Sequence, residues 1–168
     1  MVNHWTLLKG NSVSPNIATN TAVDREALIE FVTPRHRALL ITQRRDGSPQ
    51  ASPVTCGVDG QGRIVVSTYP ERAKARNAAR EGRVSVVVLS DDFEGPWVQV
   101  DGTAEVLSGE EAVEPLVEYF RVISGEHPDW EEYRQAMRGQ GKALVRVTPR
   151  RWGPVATGGF PAGRAPQA

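Results

Sequence analysis

The chain of 168 residues contains one cysteine, Cys56, so it can form no intrachain disulfide and no cysteine-based zinc cluster. It carries no net charge, with 20 Lys and Arg against 20 Asp and Glu, and so lacks the basic excess of a general nucleic-acid binder. No apolar run approaches membrane-spanning length and no continuous apolar segment stands near Met1. Neither nucleic acid nor membrane is therefore an expected partner, and the cytosol is the expected compartment. The three histidines, His4, His36 and His127, lie far apart and none has metal-ligand spacing, so no metal site is expected. No catalytic triad, no working pair of carboxylates and no internal repeat is legible.

What is present reads as one domain with a substantial core. Residues 1–22 are polar and irregular and are expected to form a flexible arm, with the folded unit at 23–156 and a disordered Gly/Pro-rich tail at 157–168. Asp24 is a candidate N-cap for a helix with an apolar face of Ala27, Leu28, Phe31 and Val32, stopped by Pro34. Strands are expected at 38–42, 50–58 and 64–67, separated by Asp46-Gly47 and Asp59-Gly60, which makes an antiparallel meander. A basic helix at 72–80 is closed by Gly82. Strands at 84–89 and 97–107 follow, the second with an irregularity at Asp101-Gly102. A helix at 110–123 is apolar at Ala112, Val113, Leu116, Val117 and Phe120. Asp129 caps a short helix to about Arg138, on which Trp130 and Tyr133 pack against the rest, and a last strand occupies 142–147. Short strands joined by tight turns, with helices inserted late, predict a mainly β fold with flanking helices, a six- to seven-stranded antiparallel barrel.

The densest chemical signal is Ser67-Thr68-Tyr69-Pro70-Glu71-Arg72-Ala73-Lys74-Ala75-Arg76-Asn77, a strand end, a polar turn and a helix start. Free N–H groups and the helix dipole favour an anion there, and phosphate is the obvious one. In a neutral chain such a local basic site fits a small anionic ligand better than a polymer. The same residues can also be read as a strand end and a solvated helix face. Arg72 and Lys74 are favoured as phosphate ligands at the first turn, and Arg76 and Arg80 are read as surface charges. Asn77 either contacts a cofactor tail or bonds the backbone. In the next long strand Val98 and Val100 alternate into the core, leaving Trp97, Gln99 and Asp101 on a more polar surface, where a Trp calls for a partner. Cys56 reads as a small buried hydrophobe rather than a nucleophile, and His127 as a loop or cap residue.

Strand, Asp-Gly, strand, Asp-Gly, strand, then Ser67-Thr68 with Arg72, Lys74, Arg76 and Asn77, then Gly82-Arg83-Val84-Ser85-Val86-Val87-Val88 and Trp97-Val98-Gln99-Val100-Asp101-Gly102, resembles the pyridoxamine-phosphate-oxidase-like split β-barrel flavoproteins. The stretch from Gly125 to Met137 resembles the actinobacterial branch that uses the deazaflavin coenzyme F420. The similarity covers about Asp24 to Gly153. It implies a homodimer with two cofactor sites at the interface. It implies a phosphate cradle at Ser67, Thr68, Arg72 and Lys74, with Ala73 in the same turn and Asn77 as a secondary contact. Pro53, Val54 and Thr55 would line the ring system, and Trp97, Val98 and Gln99 of the other subunit would close over it.

The activity this implies is hydride transfer between reduced coenzyme F420 and an unsaturated, enone-like small molecule, a reaction that needs alignment more than protein acid–base groups. Two alternatives remain open: an FMN flavoprotein of the pyridoxamine 5'-phosphate oxidase type, and a non-catalytic carrier of F420, flavin or a haem-like ligand.

Overall fold

A computed structural model describes residues 15–165. Six strands close into an antiparallel barrel: β2 (Arg37–Gln43), β3 (Pro49–Val58), β4 (Ile64–Thr68), β5 (Arg83–Leu89), β6 (Val98–Leu107) and β7 (Ala143–Trp152), in the spatial order β2-β3-β4-β7-β6-β5. The predicted mainly β fold with flanking helices is thus a closed six-stranded barrel. The remaining strands, β1 (Asn20–Thr21) and β8 (Val155–Ala156), form a separate two-stranded pair.

The barrel follows from period-2 patterning. In β2, Ala38, Leu40 and Thr42 point inward, and in β5 Val84, Val86 and Val88 do the same. β4 and β7 instead carry continuous apolar runs, Ile64-Val65-Val66 and Ala143-Leu144-Val145, all buried. The reason is that these two strands are covered on both sides. Ile64, Val66 and Val145 fill the barrel, while Val65 and Leu144 pack outward beneath Ala112, Leu116 and Tyr119 of α3 (Glu110–Ser124). Gly57 admits this helix closely, since a Cβ there would meet Val122 Cγ2 at 2.6 Å.

Local signals place the other helices. Asp24 caps α1 (Arg25–Val32) by accepting from the Ala27 N–H at 2.9 Å, and Leu28 and Val32 close one end of the barrel core. The helix α2 (Ala73–Glu81) ends at Gly82, whose φ of 68° is the left-handed conformation glycine adopts without cost. The helix α4 (Trp130–Gln140) is capped by Asp129, which accepts from Glu131 and Glu132 N–H groups, and none of its residues is fully buried.

Two expectations are corrected. The last strand does not end at Val147 but continues to Trp152 through Pro149. Pro149 lies opposite Gly102, beside the register shift at Asp101/Gly102, an interruption of the ladder that tolerates a missing N–H. Residues 17–21 of the expected arm pair with residues 155–160, which run from the end of the expected folded unit into the expected tail. Asn20 and Thr21 pair with Ala156 and Val155, Ile17 bridges Phe160, and the Thr19 and Thr157 hydroxyls lie 2.9 Å apart. Polar composition concealed a pairing whose bonds are mostly main-chain. The rest of both segments, 1–14 and 166–168, lies outside the described residues.

Candidate functional site

The barrel is split at one seam. β3 pairs with β2 along its length from Pro49 to Thr55, but with β4 only at Cys56–Val66, Gly57–Val65 and Val58–Ile64. Beyond Cys56 the two strands part, and Pro53, Val54 and Thr55 face Ser67, Thr68 and Tyr69 across a cleft of about 540 Å³. The Tyr119 hydroxyl from α3 enters this gap and donates to the Thr55 carbonyl at 3.0 Å, occupying an acceptor that β4 leaves free. Burial pushes the Tyr119 pKa up to about 12, opposed by the nearby Ser67 main chain, so the phenol stays a donor at neutral pH.

The start of α2 forms one end of the cleft. Arg72, the N-cap residue, is extended (φ −69°, ψ 143°) and no side chain caps the helix. The first intrahelical bond runs from Arg76 N–H to Arg72 C=O at 3.1 Å, so the N–H groups of Ala73, Lys74 and Ala75 precede it. The Arg72 and Lys74 side chains both line the cleft. Arg72 lies just outside the helix, at its N-cap. Arg76 turns instead to a second depression shared with Ala73, Asn77, Arg80, Arg44 and Arg45.

The other walls come from distant sequence. α3 contributes Tyr119 and Phe120, α4 contributes Tyr133, Met137 and Gln140, and Lys142 follows α4. Phe120, His127, Trp130 and Tyr133 form one cluster of rings, with Phe120 and Tyr133 centroids 5.0 Å apart. His127 acts as a loop residue whose Nδ1 accepts from the Asp129 N–H at 3.0 Å. Among the described residues no carboxylate lines the cleft.

The structure therefore gathers Pro53, Val54, Thr55, Ser67, Thr68, Arg72 and Lys74 in one place, and separates the rest. Asn77 is buried, its Nδ2 donates to Thr42 Oγ1 at 3.1 Å, and its Oδ1 accepts from Arg80 at 3.1 Å. Its side chain ties α2 to β2. Arg80 is likewise tied down, donating to the Gln43 carbonyl at 2.6 Å. Ala73 faces the second depression, leaving only its N–H at the helix start. The Val98 side chain is fully buried in the barrel, so only its main chain could meet a ligand. Trp97, 39% exposed, and Gln99, whose amide donates to Asp101 at 3.1 Å, lie with Arg151 and Trp152 on another surface of their own chain.

Cys56 is completely buried and burial raises its pKa to about 12, which removes it from thiolate chemistry. Among the described residues no three His, Cys, Asp or Glu side chains gather as a metal site, and no helix is long and apolar enough to cross a membrane.

The residues that sequence reasoning did not assign to the cleft or its mouth are Tyr69, Tyr119, Phe120, Met137, Gln140 and Lys142. Only Tyr69 carried a local signal, standing directly after Ser67-Thr68.

A closed antiparallel barrel parted at one seam, with an uncapped helix start and unpaired cations in the gap, defines the flavin-binding split-barrel class. Residues 25–156 match the pyridoxamine 5'-phosphate oxidase family, and the chain belongs to it. That family includes oxidoreductases and binds flavin-type cofactors. Among solved structures, a conserved hypothetical protein of Mycobacterium tuberculosis is 23% identical, with a TM-score of 0.68 over 83% of this chain and 89% of that one. A structure named F420 reductase is 19% identical, with a TM-score of 0.55 over 73% of this chain and 94% of that one. General Stress Protein 26 of Bacillus anthracis is 14% identical, with a TM-score of 0.53 over 78% and 92%. At these identities the likeness concerns the fold alone.

Proposed function

We propose that the chain is an oxidoreductase that uses the deazaflavin coenzyme F420 to reduce an unsaturated small molecule. The observation that carries this is the cleft between β3 and β4. Its lining combines an uncapped helix start, two hydroxyls, Arg72 and Lys74 with the rings of Phe120 and Tyr133 and with Met137, and holds no carboxylate among the described residues. A ligand with a phosphate and a flat ring system suits that division. Ser67, Thr68, Arg72, Lys74 and the first-turn N–H groups would hold the phosphate. Pro53, Val54 and Thr55 would lie along the ring. The chemistry a reduced deazaflavin supplies is a hydride, taken up by an electron-poor carbon such as the β-carbon of an enone, with a solvent proton completing the α-carbon. The protein's part is to orient both molecules and to exclude water with the aromatic wall.

A homodimer belongs to this proposal. The outer face of β2 and β5 carries half-buried Leu39, Ile41, Val87 and Leu89, on a side of the barrel away from α3 and α4. On the same outward rows stand Trp97 and Gln99. An isologous contact through this face would hide the apolar rows and could carry Trp97 and Gln99 to the partner's cleft. The cytosol is the proposed compartment.

The phosphate cradle serves FMN equally well, so an FMN flavoprotein is the second reading, and a carrier without turnover is the third. Side-by-side fluorescence titration with FMN and F420 tests all three. Tight binding of F420, weak binding of FMN and oxidation of reduced F420 by an enone is the expected result. Preference for FMN, or binding without turnover, overturns the proposal.

A further inference from the structure

Phe93 is 90% exposed, in the connection between β5 and β6. That connection is nonetheless tightly held. The Ser90 hydroxyl donates to the Pro96 carbonyl and accepts from Arg35 Nε at 3.3 Å, which closes the base of the turn. Asp92 accepts the Glu94 N–H on its carboxylate at 3.1 Å and the Gly95 N–H on its carbonyl at 3.0 Å. A Cβ at Gly95 would meet Ser90 Cβ at 2.7 Å. Arg37, outward on β2, pairs with Asp91 at 3.1 Å and draws the turn towards the outer face of β2 and β5. A large ring carried on an ordered turn loses little freedom when a partner covers it.

The strand register bears on what meets Phe93. Outward residues stand in level rows across β3, β2, β5 and β6, one row being Pro53, Leu39, Val87 and Gln99. The next row is Thr55, Arg37 and Leu89, with Trp97 beside Val98 at the start of β6. A two-fold axis along the strands, between β2 and β5, sets β2 against the partner's β5 and β3 against the partner's β6, and keeps each row at its level. Pro53 then faces Gln99 of the partner subunit and Thr55 faces Trp97 of the partner subunit. Two convex barrels joined this way touch along β2 and β5 and diverge at β3 and β6, which leaves room there for a ligand. A two-fold across the strands would instead set β3 against β3 and carry Trp97 away from the cleft.

We propose that Phe93 of each chain closes the partner's cleft at its Thr55 end and packs there against an apolar part of the substrate. Phe93 stands beyond Trp97 along the strand direction, so the two-fold that brings Trp97 to the level of Thr55 carries Phe93 just past it. The wall it joins is aromatic: Tyr119 donates to the Thr55 carbonyl at 3.0 Å, and Phe120, next in α3, lines the cleft. Each cleft is then completed by two chains, and it favours a substrate with an aromatic or extended apolar substituent. This rests on the cofactor and dimer reading given above.

Mixed dimers of co-expressed chains, purified through two different affinity tags, test this. Cys56 is buried, so an introduced cysteine is the reactive thiol. A short bis-maleimide should join a Phe93→Cys chain to a Thr55→Cys chain, and should not do so when Phe93→Ser replaces Phe93→Cys. In turnover with reduced F420, Phe93→Ala should lower kcat/KM for a phenyl-substituted enone about tenfold relative to its methyl counterpart, the loss expected for one buried ring. A mixed dimer of Phe93→Ala and Arg72→Ala/Lys74→Ala chains should recover the wild-type ratio, because one of its clefts combines an intact start of α2 with an intact Phe93 from the other chain. If Phe93 served its own chain, neither cleft of that dimer would be whole. No cross-link, no recovery, or an unchanged ratio in Phe93→Ala, in a dimer that binds F420, overturns the inference while the cofactor reading stands. A monomeric wild type overturns the dimer and the inference together. If wild type binds neither F420 nor FMN, or the Arg72→Ala/Lys74→Ala chain binds both unchanged, the cofactor reading falls and takes the inference with it.

Discussion

The Tyr119 hydroxyl donates to the Thr55 main-chain carbonyl at 3.0 Å, at the point where β3 and β4 stop pairing. A side chain from α3 thereby satisfies a strand acceptor and holds one lip of the cleft. Tyr119→Phe leaves that carbonyl without its partner and should lower stability by about 1 kcal/mol. Urea unfolding of the two proteins checks this. The same residue sets an alkaline response. Burial raises its pKa from 10.0 to about 12, so its contribution is whole below pH 10.0 and is lost towards about 12, where the unfolded chain ionises first. The decline in melting temperature over that interval should be shallower in Tyr119→Phe.

Cys56 should resist alkylation in the folded protein. It is buried and its thiol titrates at about 12, so iodoacetamide at about pH 8 should label it only after denaturant is added. Mass spectrometry of native and unfolded samples gives the answer. Rapid labelling of the folded chain would contradict both its burial and its exclusion from the site.

Arg72→Ala and Lys74→Ala should each weaken cofactor binding by about 1.5–3 kcal/mol, the range for a hydrogen bond to a charged group. Both side chains line the cleft without a carboxylate partner, so their loss should leave stability nearly unchanged. Fluorescence titration beside a thermal melt separates the two effects, and unchanged affinity in both variants would sink the phosphate assignment.

Asn77→Ala should show the opposite pattern. Removing an amide that joins Thr42 and Arg80 in a buried position should cost about 1–3 kcal/mol of stability. Cofactor affinity, measured well below the melting point, should stay near wild type. A selective loss of affinity at normal stability would restore Asn77 as a ligand contact.

Val87→Asp puts a charge in the half-buried outer row shared by β2 and β5, where a partner would dock. The expected outcome is a shift from dimer to monomer in light scattering, because an unpaired charge is costly to bury in an interface. Cofactor affinity should fall with it if Trp97 and Gln99 serve the partner's cleft. A wild-type chain that is monomeric at micromolar concentration contradicts the proposal directly.

Much of this molecule is written in short-range chemistry. The alternation of Val84, Val86 and Val88, the Asp-Gly turns and the caps at Asp24, Asp129 and Gly82 act over a few residues, so they can be read in order along the chain. The turn from Ser67 to Lys74 was legible for the same reason, since these residues are neighbours whatever the fold does. The run of the last strand through Pro149 was not legible because a missing N–H matters only relative to the strand beside it, and the bulge at Asp101/Gly102 makes room. The Asn77 bond was not legible because its partner, Thr42, lies in a strand 35 residues away.

Packing between distant segments settled the remainder. Sequence alone indicated a barrel, a turn ready for an anion and a lone inert cysteine, all consequences of local periodicity and side-chain chemistry. It did not indicate that the barrel parts beyond Cys56, that Tyr119 enters the gap, or that Lys142 reaches the face of Tyr69 to join Arg72 and Lys74. Those facts depend on how α3 and α4 dock on β4 and β7, a long-range burial of apolar faces to which no single segment is a guide.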